Sequence, residues 1–450
     1  MTDVPGGADK PDPMTPRAIR SLLTKIDVDT RLLGMIAALA VIWVGFDLAS
    51  RPEIPVGETS PLGGLFLTSR NLWNLSVQSA SIAIMATGMV LIIVSRNIDL
   101  SVGSLLGFLG YTMAMVQAVW IPTTLGLGFN QPFTWVVAIA VGVGIGALVG
   151  GLQGFIIAYG RVPAFIVTLG GFLIWRGLIF QYAQGQTIAP MDATYALLGG
   201  GPKGSLGDLS SWIIAALICA GIVYTVVAGR RRRRQYGFPV RPRWALIAVL
   251  GFSCAAVIGA VWVTNNYFWP PALASQFAAE QGIAEPPGGL LIPTGIAYPV
   301  VIMLGVGLVV TFIATRRRFG RYVYAIGGNP DAAELGGINV RRTIMGTYVL
   351  MGVLVAIGAA VQTARLNAAV TNLGVQNELD VIAAAVIGGT SFSGGIGTIP
   401  GAILGAVVMQ SLRSGMVLLR FDSPTQDIVV GIVLVAAVGL DALLRRRSAR

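Results

Sequence analysis

RRRFGRYVYAIGGNPDAAELGGINVRR, residues 316–342, is an arginine-flanked polar island between two stretches without any charge, Pro286–Thr315 and Thr343–Ala364. Each stretch is at or above the roughly 20 residues a helix needs to cross the hydrocarbon. The island therefore lies at a membrane surface, and its basic flanks place it on the cytoplasmic side. A very short helix is predicted inside it. Asn329 is a good N-cap, Pro330 suits the first helical position, and Asp331 puts negative charge where the macrodipole favours it. Gly336 and Gly337 are expected to stop the helix in the left-handed region. About two turns remain, too few to hold alone in water. Such a helix persists only by docking, so the segment reads as a handle held by another protein.

The rest of the chain agrees with a membrane setting. Of its 450 residues 54% are hydrophobic and only 11% charged, with a mean hydropathy of +0.75. A soluble domain carries about 25% charged residues. Holding the basic loops inside gives an all-α, polytopic helix bundle of about twelve hydrophobic segments. They run over 32–49, 73–95, 101–120, 133–158, 163–183, 210–228, 244–264, 291–314, 343–364, 380–392, 397–418 and 427–444. The tenth is short and is followed by Gly394, Gly395 and Gly397, so it reads as a half-helix. The organisation is then a cytoplasmic tail 1–31, a transmembrane domain 32–444 with a cytoplasmic loop 315–342, and a basic cytoplasmic tail 445–450. The loops 186–209 and 265–290 are expected outside.

The formal charge of +11 does not point to nucleic acid. Of 31 Lys and Arg residues, 24 fall in the segments placed inside, which is the positive-inside asymmetry. The runs Arg230–Arg234 and Arg445–Arg447 read as topology anchors beside acidic lipid heads. Histidine is absent, and the two cysteines, Cys219 and Cys254, lie in apolar spans. Histidine metal sites and Ser-His or Cys-His catalysis are excluded, and no metal site is expected.

The pair of segments 210–264, joined by the penta-arginine loop, goes out and back and leaves the downstream orientation unchanged. Without it, five segments face five. Asp99 stands between the second and third segments of the first set, with Gly107 eight residues on. Asp380 stands at the matching place in the second set, with Gly388 eight residues on. Gly142, Gly146, Gly150 and Gly154 line one face of one fourth segment, and Gly397, Gly401 and Gly405 one face of the other. This is the pattern of inverted repeats found in transporters. Small residues at such spacing let helices approach closely, either within a bundle or across a homodimer seam.

Asp99 and Asp380 both read as helix starts, where a carboxylate caps the first turn; the other reading is a place in a polar pathway. A proton relay would call for a second buried acid or a histidine nearby, and none is visible. Asn74, Gln78, Thr87, Gln153, Gln362, Thr390 and Ser391 can hydrogen-bond a hydroxylated solute, or simply another helix. Arg176 is expected to snorkel to the outer interface or the lumen. No GxxxxGK[ST] run exists, so ATP hydrolysis, if used, happens on another chain.

Four stretches carry a resemblance: NIDLSVGSLLGFLG (97–110), RVPAFIVTLGGFLIWRGL (161–178), GRYVYAIGGNPDAAELGGINV (320–340) and ELDVIAAAVIGGTSFSGGIGTIPGAILGA (378–406). The chain resembles the membrane permease subunits of bacterial ABC importers for monosaccharides, the ribose, galactose, arabinose and xylose group. The inserted pair 210–264 and the WVTNNYFWPPAL that follows resemble the xylose branch. The resemblance implies a homodimeric, multi-pass permease of the bacterial inner membrane passing a pentose such as D-xylose. It implies a cytoplasmic ATPase subunit that holds the ATP and magnesium, an extracytoplasmic sugar-binding protein, and no cofactor on this chain. Its ATPase-coupling loop falls on Gly327, Gly328, Asn329, Pro330, Ala332, Ala333, Glu334, Leu335, Gly336 and Gly337, with Glu334 and Leu335 the expected contacts. The pathway is expected to draw on Asn74, Gln78, Asp99, Ser101, Asp380, Thr390 and Ser391. The competing reading is a stand-alone, ion-coupled secondary sugar transporter.

Overall fold

A computed structural model describes residues 30–52, 60–240 and 242–448. Most of the predicted N-terminal tail and the last two residues of the basic C-terminal tail lie outside these. The described part is helical throughout. The first set of helices is α1 (Thr30–Ala49), α2 (Ser69–Val94), α3 (Val102–Met115), α4 (Thr134–Ala158) and α5 (Ala164–Ala183). α3 runs on as a π-helical stretch, Val116–Thr124, that accommodates Pro122. After a one-turn helix, α6 (Ala193–Leu197), comes the inserted hairpin, α7 (Gly207–Gln235) and α8 (Arg243–Asn265), and then α9 (Pro271–Gln281) in the loop expected outside. The second set is α10 (Tyr298–Arg316), two short helices α11 (Arg318–Gly328) and α12 (Pro330–Leu335), then α13 (Val340–Leu366), α14 (Asn377–Ile387), α15 (Ile399–Leu418) and α16 (Ser423–Ser448).

Among the described residues, ten helices are long and apolar enough to cross a membrane. With the half-helix α14 and the terminal α16 they account for the twelve expected segments. α14 has 11 residues, about 16 Å at 1.5 Å per residue, and so covers half the hydrocarbon. It ends at Gly388, with Gly389 in the left-handed region, as the glycines of this stretch suggested.

The core is built on α2, which is buried on nearly every side: 94% of its apolar window is inside the protein. It packs on α15, α14 and α13, while α13 packs on α4, α3 and α2. The exchange is reciprocal, since the second helix of each set lies on the third and fourth helices of the other. Inverted repeats produce this arrangement. The glycine faces are spent inside the chain. A Cβ on Gly146 or Gly150 would run into the carbonyls of Gly352 and Tyr348 on α13. One on Gly401 or Gly405 would run into Gly388 and Ala384 at α14. The tight-bundle reading of these glycines therefore holds, and a homodimer seam along them does not. The inserted hairpin is the opposite case, with only 6% of either apolar window buried. It is tied at one end, where Asn265 donates to Asp208 (2.7 Å) and Gly207 to the carbonyl of Thr294 (3.1 Å).

Candidate functional site

Two regions carry the residues singled out in the sequence, a surface face and an intramembrane cavity. On the surface, α12 has six residues, Pro330–Leu335, between the expected cap and stop. Its start is as read: Asn329 Oδ1 accepts from the Ala332 N–H (3.1 Å), and Pro330 takes the first position. Its end is not. Gly336 keeps an ordinary right-handed φ of −74°, and only Gly337, at φ +82°, enters the left-handed region that glycine alone adopts cheaply. Ala333 is buried and seats the helix, whereas Glu334 is exposed and Leu335 is 91% exposed.

The helix in front of it, α11, was missed in the sequence. Its signal was present: Phe319, Val323, Ile326 and Gly327 recur at helical spacing, and the last three are buried. Gly327 is thus not a surface residue. A Cβ there would strike the Val94 carbonyl and Gly395. Arg96, in the turn after α2, donates Nε to the Gly327 carbonyl (2.8 Å) and a terminal guanidinium nitrogen to the Gly328 carbonyl (2.7 Å). Tyr324 donates its hydroxyl to the Gly397 carbonyl (2.7 Å), and burial pushes its phenol up, so the proton stays in place near neutral pH.

Thr390 and Ser391 sit at this same end, in the loop between α14 and α15, whose Gly395 N–H bonds the Val94 carbonyl (3.0 Å). Both are buried; Ser391 shares a hydrogen bond with Ser393 (2.6 Å). The structure does not bring them to Gln78 and Asp380.

Asp99 is buried one turn of chain away from Arg96. α3 begins at Val102, so Asp99 precedes its first turn and is not its cap. Its Oδ1 accepts from the backbone N–H (2.9 Å) and hydroxyl (2.7 Å) of Ser101, an Asx-type turn. Gln153 Nε2 donates to the Ser101 hydroxyl (3.1 Å). Asp99 and Ser101 form one polar knot between α2, α3 and α4, apart from the cavity.

The cavity lies between α2, α13, α14 and α15 and measures about 170 Å³. Gln78, Gln362, Asn377, Asp380, Gln410 and Arg413 line it. Asn74 is one helical turn from Gln78 on α2, half-buried. Gln410 donates to Gln78 (2.9 Å) and Asn377 to Gln362 (3.1 Å), bonding α15 to α2 and α14 to α13. Asp380 is no cap either. The residue before α14 is Gln376, and Asp380 sits on the fourth helical position, facing Arg413 of α15. Arg413 donates Nε (3.1 Å) and a terminal nitrogen (2.9 Å) to Asp380 Oδ1 and stands 3.6 Å from Asp427, which accepts from Gln376 (3.0 Å).

The expectation that no second acid stands near Asp380 is overturned. Buried Glu378 precedes it by two residues, and Asp427 comes from α16. Spacing along the chain shows the first; the second is a tertiary meeting. Arg176 is half-buried. It donates to the Leu373 carbonyl (3.3 Å), in the loop leading into α14. Ligand pockets usually start near about 300 Å³. This cavity is smaller, and its polar wall comprises amides, the Ser81 hydroxyl, the Asp380 carboxylate and the guanidinium groups of Arg365 and Arg413. It can exchange hydrogen bonds with a neutral polyol.

A ten-helix bundle with crossed repeats, a broken helix beside a polar cavity and an exposed capped helix at one face defines a membrane permease component. Residues 71–438 match the family described as the permease component of branched-chain amino acid transport systems, and the chain belongs to it. It is 37% identical to the xylose transport system permease protein of Escherichia coli K12 over 385 residues, 86% of this chain and 88% of that one. Against the protein of that name in Haemophilus influenzae it is 34% identical over 426 residues, 93% and 98% of the two chains. The ribose import permease protein of E. coli K12 is 32% identical over 386 residues, 86% and 90% of the chains. No solved structure matches. The chain is accordingly a multi-pass protein of the bacterial inner membrane.

Proposed function

We propose that this chain is the membrane-spanning subunit of an ABC sugar importer, a homodimer in which the polar cavity belongs to the pathway of a pentose such as D-xylose. The observation that carries the reading is Leu335, 91% exposed beside Glu334 on a helix too short to stand alone. An apolar side chain held out on a capped, seated knob is what a groove on a partner takes up, at about 2 kcal/mol for a fully buried leucine. The partner is a cytoplasmic ATPase subunit, which alone carries ATP and magnesium; this chain acts as conduit and not as enzyme. The positive-inside asymmetry puts α12 and both termini in the cytoplasm. The opposite face then meets an extracytoplasmic sugar-binding protein. The family's description speaks of branched-chain amino acids, but the cavity wall is mainly polar, with amides and charged groups that suit hydroxyls. The relatives named for xylose and ribose support the sugar.

One observation favours the ion-coupled alternative: Asp380 and Asp427 flank Arg413, and a further buried acid, Glu378, stands two residues before Asp380. Uptake by proteoliposomes separates the two readings. Sugar flux is expected only with ATP, the ATPase subunit and the binding protein together, and flux by this chain alone under an ion gradient refutes the proposal. Glu334→Arg is expected to lower ATP-driven uptake about tenfold, a coupling loss of ordinary size, without changing thermal stability in detergent.

A further inference from the structure

Three pieces of chain meet just behind α12, and two side chains join them. α11 ends at Gly328 with carbonyls that no further helical turn can satisfy. Arg96 satisfies two of them, at 2.8 and 2.7 Å, with the charge sign the carboxyl end of a helix favours. Arg96 does so from a left-handed backbone, φ +63°, uncommon for a residue with a side chain. The loop between α14 and α15 crosses over the same point: Gly395 bonds Val94, the last residue of α2, and a Cβ on Gly394 would collide with the stem of Arg96. Tyr324 fixes that loop to α11 through the Gly397 carbonyl, one residue before Thr398, the cap of α15. Gly327 sits in the middle without room for a side chain. Arg96 therefore links α11 to the break that holds Asp99, and Tyr324 links it to the break that follows α14. Only Asn329 separates α11 from α12.

We propose that Arg96 and Tyr324 are the positioning residues through which a displacement of α12 reaches the two helix breaks inside the membrane. The proposal rests on α12 being the contact for the ATPase. Hydrogen-bond networks between rigid helices can carry such coupling, and this joint has one connection to each repeat. A simple structural cap would need only one of them.

The test uses the full complex in proteoliposomes: this chain, its ATPase subunit and the binding protein. Sugar transported per ATP hydrolysed is measured for Arg96→Gln, Arg96→Lys and Tyr324→Phe, together with ATPase co-purification and thermal stability. For Arg96→Gln and Tyr324→Phe the ratio is expected to fall about tenfold, with the ATPase still bound and hydrolysing, and Arg96→Lys to recover part of it. A ratio within about twofold of the parent for both, or equal losses of uptake, hydrolysis and assembly, overturns the proposal. Should Arg96→Gln fail to fold, Tyr324→Phe, which removes one oxygen, still decides it. Failure of the parent chain to bind any ATPase instead removes the reading of α12 itself.

Discussion

The breaks before α3 and before α14 stand at matching places in the two repeats and solve the same problem differently. At the first, Asp99 is held by the backbone and hydroxyl of its own neighbour, Ser101, and among the described residues no cation pairs with it. At the second, Asp380 is held by Arg413, a residue 33 positions away on another helix, which also approaches Asp427. The first break is a local turn stiffened from within. The second is a tertiary tie holding a half-length helix to its neighbours. A half-helix has about half the packing surface of a full span, so a charge pair that bonds α14 to α15 and α16 supplies what α3 obtains from length alone.

This contrast predicts unequal sensitivities. Arg413→Met strands the Asp380 carboxylate in the membrane and is expected to cost about 3 kcal/mol of stability in detergent unfolding, the largest single effect. Adding Asp380→Leu to it should restore most of the loss. If the double variant remains as unstable as the single, the tie is not what holds α14. Gly150→Val and Gly405→Val come next, at about 1–3 kcal/mol each, because each drives a side chain into a facing backbone. Gly144→Val, on an open face of α4, should be silent. A large loss at only one of the two seams would break the equivalence of the repeats. Asp99→Asn keeps both Ser101 bonds and strands nothing, so it should stay within about 1 kcal/mol of the parent. A loss as large as that of Arg413→Met would mean that a cation works at the first break too.

Much of this architecture was legible before the structure. Charge-free runs gave the spans, the arginine distribution gave the expected sidedness, and Asn329-Pro330 gave the start of α12. The partners were not legible. A glycine ridge says which face is flat and not what lies on it, so Gly146 and Gly150 read equally well as a dimer seam until α13 was seen against them. Asp380 looked like a cap because short-range chemistry suffices for a cap, whereas Arg413 enters only through the fold. Thr390 and Ser391 looked like companions of Gln78 and Asp380 by polarity; the sharp turn after α14 buries them beside the Val94–Gly395 contact instead. The apolar period of α11 is interleaved with arginines at 316–318 and 321, so charge masks its helical spacing.

The inserted hairpin, α7 and α8, has almost none of its apolar surface against the protein. Acyl chains are fluid and conform to any shape, so residues facing them answer to greasiness and not to fit. Exchange among Leu, Ile, Val and Phe along this hairpin should pass nearly unnoticed, while the same exchanges along α2 meet a jigsaw on every side. Over generations the hairpin is where this polypeptide has licence to drift.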